Sequence, residues 1–130
     1  MGKKSSITPL ENPEFNGNNP AVNIDLTAIE KRFFLKEPEQ ITKFLALNPY
    51  LIPVLSETAN ILDRYFPGGN YNLHWYVDPE IAAFKWLTIE IPTKYSPREA
   101  SDRLNRFDDE WWIDNEYKTN GNVIVNVEFE

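Results

Sequence analysis

His74 is the only histidine in the chain, and there is no cysteine. A zinc site built on two or more imidazoles, thiolate metal ligation and a cysteine nucleophile are therefore excluded by residue count alone. What remains for acid–base chemistry is His74 with a carboxylate, and Glu90 and Glu128 are the acids that strand alternation brings to its side. A serine could join them in space, but nothing marks a nucleophile elbow, so no catalytic residue is assigned.

A second cluster, Asp108, Asp109, Glu110, Asp114 and Glu116 beside Trp111 and Trp112, offers the oxygen ligands that hard cations favour. Its spacing is not that of an EF-hand loop, and a solvated acidic face is the simpler reading, so no metal is assigned. Gly68-Gly69 is too short for a phosphate-binding loop and leads into a strand instead of a helix, so it reads as a turn and no cofactor is expected.

The elements that must position these residues are marked by caps and periodicity. Ser96, Pro97 and Glu99 form an N-cap, an N1 proline and a capping-box acid, and Ala100, Leu104, Phe107 and Trp111 then recur at helical spacing. On that phasing Trp111 belongs to the core. Trp112, about 100° further round the helix, is either a second core residue or an exposed interface anchor.

Earlier in the chain, Pro38 opens a short helix that Asn48-Pro49 stops, and a second helix with Leu51, Leu55, Thr58 and Leu62 on one face ends before Pro67. Pro53 means that this helix is either kinked in its first turn or begins near residue 53. Residues 22–35 admit either a strand, from the alternation of Val22, Ile24 and Leu26, or a short helix carrying Ile29, Phe33 and Phe34. We take the helix.

Period-2 alternation predicts strands over 71–77, 84–91 and 123–129, with Pro92 ending the second and Asn120-Gly121 turning into the third. The expected fold is α+β: N-terminal helices followed by β-β-α-β, a small, mostly antiparallel sheet packed on helices, similar in element order to a ferredoxin-like sandwich lacking its first strand. Residues 1–20, with Pro9, Pro13, Pro20 and an Asn/Gly run, read as a flexible tail, and 21–130 as one domain.

Alternation has a functional consequence. His74, Tyr76, Trp86, Thr88, Glu90, Ile124, Asn126 and Glu128 should share one face of the sheet, and a merely solvated face has no need of Tyr76, Trp86 and Ile124. That face is expected to be covered by the N-terminal helices, by a second copy or by another partner. With Trp112, its polar and aromatic members form the candidate binding surface.

The net charge of −7 disfavours nucleic acid and anionic membrane and suits a basic protein partner. No apolar stretch is long enough to span a bilayer and no signal-peptide core is present, so a cytoplasmic protein is expected.

The patterns Asn48-Pro49-Tyr50-Leu51-Ile52, Asp78-Pro79-Glu80, Ser96-Pro97-Arg98-Glu99-Ala100, Asp109-Glu110-Trp111-Trp112 and Asn126-Val127-Glu128-Phe129-Glu130 resemble a group of small uncharacterised bacterial proteins. The resemblance spans nearly everything from Ile29 onward and implies no reaction or ligand. Its one implication is a loose association with toxin–antitoxin neighbourhoods.

The function expected is a non-enzymatic protein–protein interaction module, homodimeric or antitoxin-like. The alternatives are a hydrolytic or metal-dependent enzyme centred on His74 and its neighbouring carboxylates, and a small-molecule-binding domain with a pocket between helices and sheet.

Overall fold

The computed structural model describes residues 24–130. The expected tail lies outside the described residues. Helix α1 (Thr27–Arg32) runs directly into strand β1 (Phe33–Lys36), followed by helices α2 (Pro38–Leu47) and α3 (Leu51–Leu62). The hairpin β2 (Tyr71–Val77) and β3 (Lys85–Thr93) comes next, then helix α4 (Pro97–Phe107) and the final strand β4 (Val123–Phe129). No described helix is long and apolar enough to cross a membrane.

Of the stretch 22–35, the described residues 24–35 are thus neither wholly helix nor wholly strand. Ile29 is buried on α1 as expected, but Phe33 and Phe34 lie on β1, paired with Tyr71 and Asn72. Two aromatics in a row fit a pleated surface, and a partner strand almost forty positions downstream outweighs the local helical pattern.

This extra strand changes the sheet. It is mixed, not mostly antiparallel: the order is β1-β2-β3-β4, with β1 parallel to β2, β2 antiparallel to β3 and β3 parallel to β4. In a ferredoxin-like sandwich the parallel strands of each βαβ unit are split by another strand; here they are adjacent, so that comparison is not supported.

Pairing also runs on through Pro92, which sits opposite Glu128. Leu87 N–H donates to the Asn122 carbonyl, so odd-numbered β3 residues turn their backbones to β4 and even-numbered ones to β2. The β2 ladder stops at Asn72–Glu90. The amide hydrogen that Pro92 lacks would have had no strand partner, and the proline costs the sheet nothing there.

One core layer joins helices and sheet. Ile41, Leu45, Leu51, Leu55 and Leu62 from α2 and α3 pack with Leu73, Leu87, Ile89, Ile91 and Val123, all of them 2 % exposed or less. Phe107 and Trp112 belong to the same cluster, so every described helix with a place in the core lies on one face of the sheet. With the strands in sequential order and the two parallel pairs pointing in opposite directions, the crossovers β1-α2-α3-β2 and β3-α4-β4 are necessarily of opposite hand. One of them departs from the right-handed rule.

Local signals hold where they are strongest. The Ser96 hydroxyl accepts from the Glu99 amide at 3.1 Å. Pro53 falls in the first turn of α3, where proline is tolerated, and the helix starts at Leu51.

The long helix after Ser96 is not uniform. Beyond Phe107 it widens into a π-helical turn, Asp108–Trp112, before a last short stretch, Ile113–Asn115. One extra residue in a turn advances the stripe by one position, from 100-104-107-111 to 100-104-107-112. Trp112 is therefore buried, at 7 % exposure, against Phe107 at 5.8 Å between ring centroids, while Trp111 packs only partly on the core.

Candidate functional site

The face of the sheet opposite the helices carries Phe34 and Lys36 from β1, Asn72, His74 and Tyr76 from β2, Trp86, Thr88 and Glu90 from β3, and Ile124, Asn126 and Glu128 from β4. Register places Lys36, His74, Thr88 and Ile124 in one row across the strands, and Asn72, Glu90 and Asn126 in the next. His74, Tyr76, Trp86, Thr88, Glu90, Asn126 and Glu128 therefore meet as the alternation predicts. Trp112 does not join them; it is part of the core on the helix side.

Glu90 is the hub of this face. Its carboxylate, whose side chain is 13 % exposed, accepts hydrogen bonds from Lys36 Nζ at 2.9 Å, His74 Nδ1 at 3.2 Å and the Tyr76 hydroxyl at 3.2 Å. A carboxylate this far from water needs such donors. Burial pushes the Glu90 carboxyl up, but the bonds from Lys36 and His74, the Lys36 charge and the Tyr76 hydroxyl outweigh it and hold the group below its ordinary value. The hydrogen bond to Glu90 in turn raises Lys36, and burial followed by the same carboxylate raises Tyr76.

Glu128 is looser. It accepts from Asn72 Nδ2 at 2.9 Å and lies 3.6 Å from Lys36 Nζ. Glu37 reaches to 3.9 Å from the other ring nitrogen of His74. Glu37 also occupies the left-handed region, with φ of 60°, between β1 and Pro38. Two carboxylates thus flank Lys36 and a third, Glu37, approaches His74, so carboxylates outnumber the lysine on this face.

Beside this network the rings form a row. His74 and Tyr76 lie 4.3 Å apart between centroids, and Tyr76 stacks on Trp86 at 5.7 Å with an interplanar angle of 16°. Between the row and β4 runs an open groove of about 300 Å³, lined by Tyr76, Trp86, Thr88, Glu90, Asn126 and Glu128 among others. A larger open groove of about 460 Å³ lies at the far end of β3, where Phe66, Gly69, Asn72, Ile91 and Tyr95 contribute to its walls.

The partner of His74 at hydrogen-bond distance among the described residues is Glu90, and the Tyr76 hydroxyl is committed to the same carboxylate. No group of three or more His, Asp or Glu residues is placed to hold a metal ion among the described residues. The acidic cluster near the π-turn is spread out, with Glu110 accepting from the Tyr65 hydroxyl.

Lys36 and Phe34 were beyond the reach of sequence reasoning because β1 reads as helix. Asn72 was within reach, since it alternates with His74 and Tyr76 on the same strand. Comparison with protein-family models, curated proteins and solved structures returned no match.

The titration directions give a pH signature. Glu90, held low, contributes stability that is complete above its ordinary value of 4.5 and is lost as pH falls through its lowered folded value. Lys36 and Tyr76, held high, contribute stability below their ordinary values of 10.5 and 10.0 that is lost as pH rises through the folded ones. The gap in melting temperature between wild type and Glu90→Gln should be widest between these limits and should narrow in acid. A gap of constant size from about pH 7 to about pH 3 would show that the Glu90 carboxylate is not stabilised by this network.

Proposed function

We propose that the chain is a non-enzymatic binding module that captures a basic segment of another protein on the open face of its sheet. The observation that carries this reading is the pairing of an aromatic row, His74–Tyr76–Trp86, with carboxylates in excess of cations on a face that no described helix covers. Aromatic faces and carboxylates are the two surfaces that a guanidinium or ammonium group seeks. The overall charge of −7 favours encounter with such a segment.

The test is calorimetric titration with an oligo-arginine peptide, with oligo-glutamate as the control. Tyr76→Ala combined with Trp86→Ala leaves the net charge unchanged, so non-specific attraction to an acidic protein survives in the double variant. Cation–π contacts worth about 0.5–2 kcal/mol should be lost, weakening oligo-arginine binding by roughly tenfold. Equal affinity for wild type and double variant would remove the face as the site.

A further inference from the structure

We infer that the outer edge of β4 is a homodimer interface, at which two copies pair antiparallel about Asn126 and join their sheets into one. The argument begins with the direction of the backbone groups. Leu87 N–H donates to the Asn122 carbonyl and Glu130 N–H to the Thr93 carbonyl, so the even-numbered residues from 122 to 130 spend their backbone groups on β3. Val123, Val125, Val127 and Phe129 turn theirs outward, and among the described residues no strand lies on that side.

The two edges of the sheet differ in how they are protected. β1 is four residues long, ends in Lys36 and is closed by the left-handed Glu37 and by Pro38, the devices that keep an edge from pairing. β4 runs for seven residues without lysine or proline, and it exposes Ile124 at 43 % and Phe129 at 53 %. An edge of this kind is a template for another strand.

The sequence of β4 selects a second copy as that strand. Antiparallel pairing centred on Asn126 sets Val125 opposite Val127 and Val123 opposite Phe129, all outward-bonding residues, so each free N–H meets a free carbonyl. On the helix side every such pair is apolar. On the other side Ile124 faces Glu128, and Asn126 faces its own copy across the twofold axis, so the strand's one charge never meets its like. Registers centred on Val125 or Val127 also match the hydrogen bonds, but they leave part of the strand unpaired; the Asn126 register uses all of it.

The experiment is molar mass by light scattering over a dilution series, against a monomer of 15.2 kDa. Wild type should reach twice that mass. Asn126→Asp and Asn126→Lys, each placing like charges on the axis, should both fall towards the monomer, and an equimolar mixture of the two should recover the dimer. Val127→Pro removes an outward amide and leaves the β3 ladder intact, so it should be monomeric with an unchanged circular dichroism spectrum.

Wild type that stays monomeric throughout, or a dimer that survives both Asn126 variants and Val127→Pro, overturns the inference. A dimer lost instead in the Tyr76/Trp86 double variant would place the second copy on the open face and overturn it as well. Peptide capture by monomeric Val127→Pro reads the open face separately from the edge.

Discussion

Replacing Trp112 by alanine should cost about 3–5 kcal/mol of stability, the range for emptying the site of a buried large aromatic. Trp111→Ala should cost clearly less. The two tryptophans are adjacent in sequence and identical in chemistry, so the comparison isolates the phase of the helix. Trp112 is the ring stacked flat on Phe107, at an interplanar angle of 26°, and it lines the cavity of about 200 Å³ between α4 and β4. Trp111 stands 6.2 Å from it and keeps part of its surface in water. Denaturant unfolding of the two variants decides the matter: a larger loss at Trp111 would mean that the helix runs through residues 108–112 without its π-helical turn. The expected loss at Trp112 is a sizeable share of a domain's total stability, so the midpoint should move far.

The second large effect lies at Gly69. A Cβ there would fall inside van der Waals contact with the hydroxyl and ring of Tyr71. The ring cannot swing aside. It is 1 % exposed, packed on Phe33, and tied through its hydroxyl to Asp63 at 2.6 Å, while Asp63 is itself held by two bonds of 2.7 Å from Arg32. Gly69→Ala should therefore destabilise by about 1–3 kcal/mol, as overpacking of a fixed site does. Tyr71→Phe removes the nearest clashing atom and the tether to Asp63, which lets the remaining ring carbons give way, so the cycle with Gly69→Ala should be non-additive, the double variant being more stable than the sum of the singles predicts. Strict additivity would place the cost of the alanine elsewhere. Gly68 differs in kind: its φ of 82° needs glycine for conformation, and the space beside it is empty.

These sites show where local pattern informs and where it stops. The cap at Ser96, the stop at Asn48 and the alternation of β2, β3 and β4 are written in neighbouring residues, and each appears in the structure. The shared face of His74, Tyr76, Trp86, Glu90, Asn126 and Glu128 follows from alternation alone, because a period of two fixes sidedness whatever the strand order. Strand β1 was not legible, since four residues after a helix carry little signal of their own and are held by pairing with Tyr71 to His74. With β1 went Lys36, the cation that Glu90 and Glu128 surround. The π-turn was equally hidden, because a one-residue widening leaves the composition of a helix untouched and alters only which of two adjacent tryptophans turns inward.

The opposite hands of the two crossovers bear on the symmetry of the fold. No rotation superposes a right-handed unit on a left-handed one, so although the sheet divides evenly into two parallel pairs, no internal twofold relates its halves. The hairpin of β2 and β3 joins two units of different hand.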